Sequence, residues 1–167
     1  MSGTEITRRP GRHSLVVSGI AGATATAMAL VGGGSGAAVA GVGTVVLLAG
    51  VRRANHRAVD AGGLIAFLGV ALSALSGPPA GAVLLGTAAS VVAWDAGTNA
   101  VSLGRQLGAE ADTARAENLH AMAGAVVGLV TAVFGLVVFQ VGPTRQPVTT
   151  LFVLLIAGTL LVVALNR

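Results

Sequence analysis

From His13 to Val51 the chain carries no Asp, Glu, Lys or Arg, and the same holds from Ala61 to Trp94, from Asn118 to Thr144 and from Gln146 to Asn166. Runs of this length leave few folds open. A helix or strand bordering water needs charge on its outer face, whereas lipid can be met by Ala, Val, Leu and Gly on every side. Soluble domains average about a quarter charged residues; this chain has 10%, with 54% hydrophobic residues and a mean hydropathy of +0.86. The pattern predicts an all-α, polytopic membrane protein forming a single integral membrane domain over residues 1–167.

Gly and Pro clusters divide the uncharged runs, because glycine frees the backbone and proline removes a donor and clashes with the preceding turn. Six transmembrane helices in three hairpins result, over residues 14–31, 37–51, 61–76, 79–94, 119–141 and 148–165. The turns between hairpin partners read GGGSG, SGPP and GPTRQP. A hydrocarbon core of about 30 Å asks for about 20 residues at 1.5 Å each, so the second, third and fourth spans look short. Extension into flanking residues such as Ala54 or Ala58 would correct this.

Orientation follows from arginine, which is retained on the cytoplasmic side of short loops. With six spans, Arg8, Arg9, Arg12, Arg52, Arg53, Arg57, Arg105, Arg115 and Arg167 share one side, and Arg145 stands alone on the other. Both termini are therefore expected inside, in a multi-pass protein of the cell (plasma) membrane. A competing reading of the N-terminus is a twin-arginine leader over residues 1–29, built on TRRPGRHSLVV and ATATAMA. Pro10 and Gly11 fit such a leader poorly.

Four of the six acids, Asp95, Glu110, Asp112 and Glu117, fall between Trp94 and His120. This is the longest cytoplasmic connection in the six-span scheme. It predicts a moderately amphipathic helix over about 99–118, with Leu103, Leu107, Ala111 and Ala114 on one edge. Trp94 is expected as an indole anchor in the headgroup region at the end of span four. The candidate partner-binding face comprises Leu103, Leu107, Glu110, Ala111, Asp112, Ala114 and Glu117, the apolar edge entering a groove on a soluble cytoplasmic protein and the acids steering association. The plainer account is that this connection alone is long enough to form a solvated surface.

The stretch VVAWDAGTNAVSLGRQLGAEADTARAENLHA, flanked by apolar spans, resembles a family of small uncharacterised haloarchaeal integral membrane proteins. Their shared features are a Trp-Asp-x-Gly-x-Asn stretch and a following LG-x-x-LG helix. The similarity runs from about Val83 onward and implies an archaeal inner-membrane protein with no assigned activity. A net charge of +4 departs from the acidity usual in haloarchaea.

Chemistry-bearing patterns are sparse. No cysteine is present, which removes disulfides and thiolate ligands. Gly33–Gly36 reads GGSG, as in intramembrane serine proteases, but Ser35 falls in an outer turn while His13, His56 and His120 fall at inner ends, so no Ser–His dyad forms. The histidines lack metal-binding spacing, and a chain with one Trp, four Phe and no Tyr offers nucleic acid no stacking platform. The expectation is a non-enzymatic protein without metal, cofactor or nucleic acid, acting as an accessory or assembly component. The alternative is a small uncoupled channel or permease lined by hydroxyls such as Ser18, Thr24, Thr26, Ser73, Thr87 and Ser90, since the proposed spans hold no ionisable core residue. Those hydroxyls can equally bond back to helix carbonyls. Gly124-x-x-x-Gly128 suits close helix packing within the chain, or between copies in a homo-oligomer. AVDAG at 58–62 and AWDAG at 93–97 repeat in different topological settings and read as chance.

Overall fold

The computed structural model describes residues 12–107 and 114–142, which form five helices: α1 (Arg12–Val31), α2 (Gly34–Arg52), α3 (His56–Ala74), α4 (Ala80–Leu107) and α5 (Ala114–Val141). Every one of them is long and apolar enough to cross a membrane, the pattern of a multi-pass membrane protein. Residues 1–137 and 138–167 are separate compact units, and the packing described below belongs to the first. The expected sixth span, 148–165, lies outside the described residues.

Four helices run alternately up and down, with α2 against α1 and α3, and α4 against α3 and α1. Their connections are short. Only Gly32 and Gly33 separate α1 from α2, and Gly33 sits at φ 120, a conformation that residues carrying a Cβ rarely adopt. The α2–α3 turn is tighter in its bonding. Ala54 N–H donates to Val51 O at 3.0 Å and Asn55 N–H to Gly50 O at 2.9 Å, with Ala54 at φ 50. This pairing closes a helix by satisfying its last carbonyls. Asn55 then begins α3, its side chain accepting from Ala58 N–H at 3.3 Å, so one residue serves both ends. Of the two extensions expected from the sequence, Ala58 is helical and Ala54 is the left-handed stop.

Small residues set the spacing. Gly36, Gly43 and Gly50 on α2, and Gly62 and Gly69 on α3, recur every seven residues and bring the two backbones together. A Cβ on Gly43 would overlap Ala66 N, and one on Gly69 would overlap Ala40 N. Without a hydrophobic drive between helices in lipid, such contact lets dispersion act along the seam. Leu47, Val51, Val59, Ala93, Ala100 and Val101 are buried toward the arginine-rich end, and Ala25, Ala29, Ala37, Ala40 and Val70 toward the other.

The largest departure from the sequence reading is α4. A span ending at 94 and a separate helix starting at 99 were expected; one helix of 28 residues runs through both. Trp94 and Asp95 are interior to it. The buried positions Gly86, Ser90, Ala93, Gly97, Ala100 and Gly104 keep a spacing of three or four throughout, with Ala96 and Val101 buried beside them, so the packing face never breaks and neither does the helix. Residues 114–118, expected at the end of the separate helix, instead open α5.

Candidate functional site

At the arginine-rich end, side chains from four helices form a polar seam. Arg12 begins α1, Arg52 ends α2, Arg57 lies in the first turn of α3, Arg105 is in the last turn of α4 and Arg115 is the second residue of α5. Just inside them, Ser14 on α1 donates its hydroxyl to Glu117 Oε2 on α5, and His13 Nε2 pairs with Asn118 Oδ1. His120 Nε2 lies 2.7 Å from Asp95 Oδ2 on α4. Trp94 Nε1 donates to Asp60 Oδ1 on α3 at 2.9 Å. Arg105 donates to the Ala54 carbonyl at 2.8 Å and so ties the end of α4 to the α2–α3 turn.

These contacts relocate several expected site residues. Trp94 packs its indole on Gly63, where a Cβ would overlap the ring, and donates its N–H to Asp60. Glu117 was expected as a solvated, steering acid, yet it is 6% exposed and bonded to Ser14. A carboxylate removed from water needs such donors, which explains why it faces α1. Leu103 is half-buried on α4 beside the buried Ala100, Val101 and Gly104, and so lies next to the packing face. Leu107 ends α4 and Ala114 starts α5. Glu110, Ala111 and Asp112 lie outside the described residues. The described positions of the seven fall on two helices, Leu103 and Leu107 on α4 and Ala114 and Glu117 on α5.

Ser14, Asn99, Glu117 and His120 also share a cavity of about 10 Å³ between α1, α4 and α5. That is near the minimum for one water molecule. The Ser14 hydroxyl is directed to Glu117 and His120 to Asp95, an arrangement that ties helices together instead of activating the hydroxyl through the imidazole. Among the described residues no three His, Asp or Glu side chains are grouped to hold a metal ion. Ser35 stands at the start of α2, at the end of the bundle opposite His13, His56 and His120.

The hydroxyls considered for a pore bond mostly to their own helices. Thr24 donates to Ile20 O, Thr26 to Gly22 O, Ser73 to Val70 O and Ser90 to Thr87 O. Thr44 also reaches across from α2 to Gly22 O on α1. Ser18 Oγ is fully buried and has no hydrogen-bond partner.

Gly124 and Gly128 face α4. A Cβ on Gly128 would meet Val92 Cγ2 at 3.4 Å and Ala88 Cβ at 3.5 Å, and one on Gly124 would come 3.7 Å from Asp95 Oδ2. Their spacing serves packing within the chain. Beside this contact, a groove of about 490 Å³ runs between α4 and α5 with the Asp95–His120 pair at one end.

A family model described as a family of unknown function, DUF7519, matches residues 8–162. The chain belongs to that family. No curated protein and no solved structure matches it. The DUF7519 match takes in α1 to α3 as well as the Trp94–His120 region.

The polar seam was not legible as a site from the sequence, because its partners lie far apart in the chain. One signal was available. Glu117 and His120 stand one helical turn before Ala121 and Gly124, and a Cβ on Gly124 would come 3.7 Å from Asp95 Oδ2, so small residues on α5 let it approach α4 at the polar pair.

Proposed function

We propose that the protein is a multi-pass component of the cell membrane with six spans, both termini in the cytoplasm, and a non-enzymatic accessory or assembly role. The motif resemblance supports an archaeal source. The observation that carries the reading is the length of α4: 28 residues against 20 in α1 and 19 in each of α2 and α3. At 1.5 Å per residue the excess is about 12 Å. It falls at the end where the arginines gather, beyond the level at which Trp94 meets α3. A helix end projecting from a membrane bundle on the cytoplasmic side offers a soluble partner a rigid edge, and Arg105 and Gln106 are exposed there.

The chemistry of the seam is consistent with this role. Its acids are paired across helices and fix where α4 and α5 emerge, so a partner would meet a preorganised surface. The test is co-purification from native membranes in mild detergent, comparing the wild-type chain with Leu103→Asp combined with Leu107→Asp. A partner lost from the double variant, with membrane insertion and helix content kept, supports docking. Equal recovery with both chains overturns it.

A further inference from the structure

At the end where the arginines gather, α2 turns one stripe away from its packing face. That face carries Gly43, Thr44, Leu47, Gly50 and Val51, all buried. Val45, Leu48, Ala49, Arg52 and Arg53 line a depression of about 320 Å³, and their spacing of i, i+3, i+4, i+7 and i+8 places them on one side of the helix. Val45 is 66% exposed. It stands seven residues before Arg52, so the depression runs about 10 Å along α2, with an apolar floor and two guanidinium groups at its rim.

The two arginines are not committed elsewhere. Among the described residues neither side chain makes a hydrogen bond or an ion pair. They are not needed to finish the helix, because backbone donors already take its last carbonyls: Arg53 N–H on Ala49 O, Asn55 N–H on Gly50 O and Ala54 N–H on Val51 O. The described acids serve other partners, since Asp60 accepts from Trp94, Asp95 pairs with His120 and Glu117 is bonded to Ser14.

The level in the bilayer says what meets them. The 19 residues of α2 rise about 28 Å, close to the hydrocarbon thickness of about 30 Å. Arg52 and Arg53 therefore stand at its edge, and Val45, Leu48 and Ala49 lie within it, whichever way the chain is oriented. A soluble anion has no use for the floor, and an acidic protein segment would have to enter hydrocarbon to reach it. A zwitterionic head brings its own cation, and an uncharged head leaves the guanidinium groups unpaired. A phosphodiester with net negative charge offers oxygens that match the guanidinium fork, and its hydrocarbon chain continues over the floor.

We propose that this depression binds an anionic phospholipid, its phosphate held between Arg52 and Arg53 and one chain lying on Val45, Leu48 and Ala49. Only the crossing of the bilayer by α2 is required; the cytoplasmic assignment of this end and the accessory role are not.

The test uses the full chain in phosphatidylcholine nanodiscs, with phosphatidylglycerol carrying a diazirine in one acyl chain as the photo-crosslinking probe. Diacylglycerol with the same diazirine chain is the comparator. Labelling by phosphatidylglycerol should saturate, map to residues 45–53, and exceed that by diacylglycerol about tenfold, the scale of a hydrogen bond to a charged group. Arg52→Gln combined with Arg53→Gln should remove the excess. Arg57→Gln takes the same charge from an exposed site in the first turn of α3, outside the depression, and should leave the excess within about twofold. Circular dichroism checks that each variant folds, and the preference of the wild-type chain needs no variant. Equal labelling by the two probes would overturn the proposal, as would labelling spread evenly to the exposed Leu64 and Leu68 of α3. An equal loss with Arg57→Gln would reduce the preference to the general attraction of a basic surface for anionic lipid, and overturn it as well. So would displacement by inorganic phosphate or hexaglutamate at the concentration of the lipid, with the guanidinium groups then acting without the floor. A chain that enters nanodiscs and shows no preference sinks the site and leaves the membrane reading standing; one that will not enter them loses both.

Discussion

Gly43→Ala and Gly19→Ala are the same chemical change in two helices, and the structure predicts opposite signs. A Cβ on Gly43 would lie 2.7 Å from Ala66 Cα and 2.8 Å from Gly62 O, and closer still to Ala66 N. Carbon contacts are most favourable near 3.5 Å, so α2 and α3 must part by at least about 0.7 Å. The atoms met are backbone and cannot rotate aside. A gap of 0.5–1 Å forfeits roughly a quarter to a half of each dispersion contact, and the same seam continues at Gly36 with Gly69 and at Gly50 with Val59. Overpacking of this kind costs about 1–3 kcal/mol, and a rigid partner places Gly43 toward the upper end. Alanine returns about 1 kcal/mol as the better helix former, leaving a net loss of about 1–2 kcal/mol. On Gly19 the new Cβ would meet only Leu48 side-chain carbons, the nearest at 3.9 Å, an ordinary contact. Only the helix-forming gain of up to about 1 kcal/mol then applies. The two variants should differ by about 2–3 kcal/mol in equilibrium unfolding by sodium dodecyl sulfate. Trp94, the chain's single tryptophan, reports the transition because it packs on α3. Gly43→Ala matching or exceeding Gly19→Ala in stability would refute the account of the α2–α3 seam.

Three further outcomes test the local arguments. Ala54→Val should destabilise by about 2 kcal/mol in the same assay, since a β-branched residue is forced into the left-handed turn that Ala54 occupies at φ 50. Ser14→Ala removes a donor from the buried Glu117 carboxylate and should cost about 1–3 kcal/mol, appearing as faster hydrogen exchange at the start of α5. Because the chain has no cysteine, single cysteines report topology cleanly: Ser35→Cys and Gly77→Cys should react with an impermeant maleimide on intact cells, and Arg53→Cys only after permeabilisation. An externally reactive Arg53→Cys would reverse the orientation.

Much of the helical architecture was legible because lipid solvation writes a coarse signal. Uncharged runs cut by glycine and proline place α1, α2, α3 and the greater part of α5 within a few residues. The rule missed the length of α4 for an identifiable reason: it reads where the apolar run ends, and a helix can continue past that point. The first charged residue there, Asp95, is paired with His120, and the next acid back, Asp60, takes the Trp94 N–H. Helix continuity depends instead on packing and on the absence of breakers. The small residues from Gly86 to Gly104 carried that information in their spacing, while Leu103, only half-buried, drew attention to a more apolar edge. Size, more than hydrophobicity, identifies the contact face when the surroundings are themselves apolar.

The same reasoning changes what the clustered acids mean. Read along the chain, Asp95, Glu110, Asp112 and Glu117 look like one solvated surface. In three dimensions Asp95 and Glu117 belong to different helices and point to different partners, one to His120 on α5 and the other to Ser14 on α1. Glu117 is only 6% exposed, so reversing it to Arg would place a second kind of charge where a bonded carboxylate now sits. That substitution should disturb the start of α5 before it alters any encounter rate. Asp95 is about half exposed and flanks a groove lined otherwise by apolar groups and two threonines. Asp95→Asn keeps the shape and one accepting oxygen while removing the charge. It should therefore preserve the fold, measured by unfolding in sodium dodecyl sulfate. A variant that unfolds as readily as Ser14→Ala would assign Asp95 to the same structural tie as Glu117.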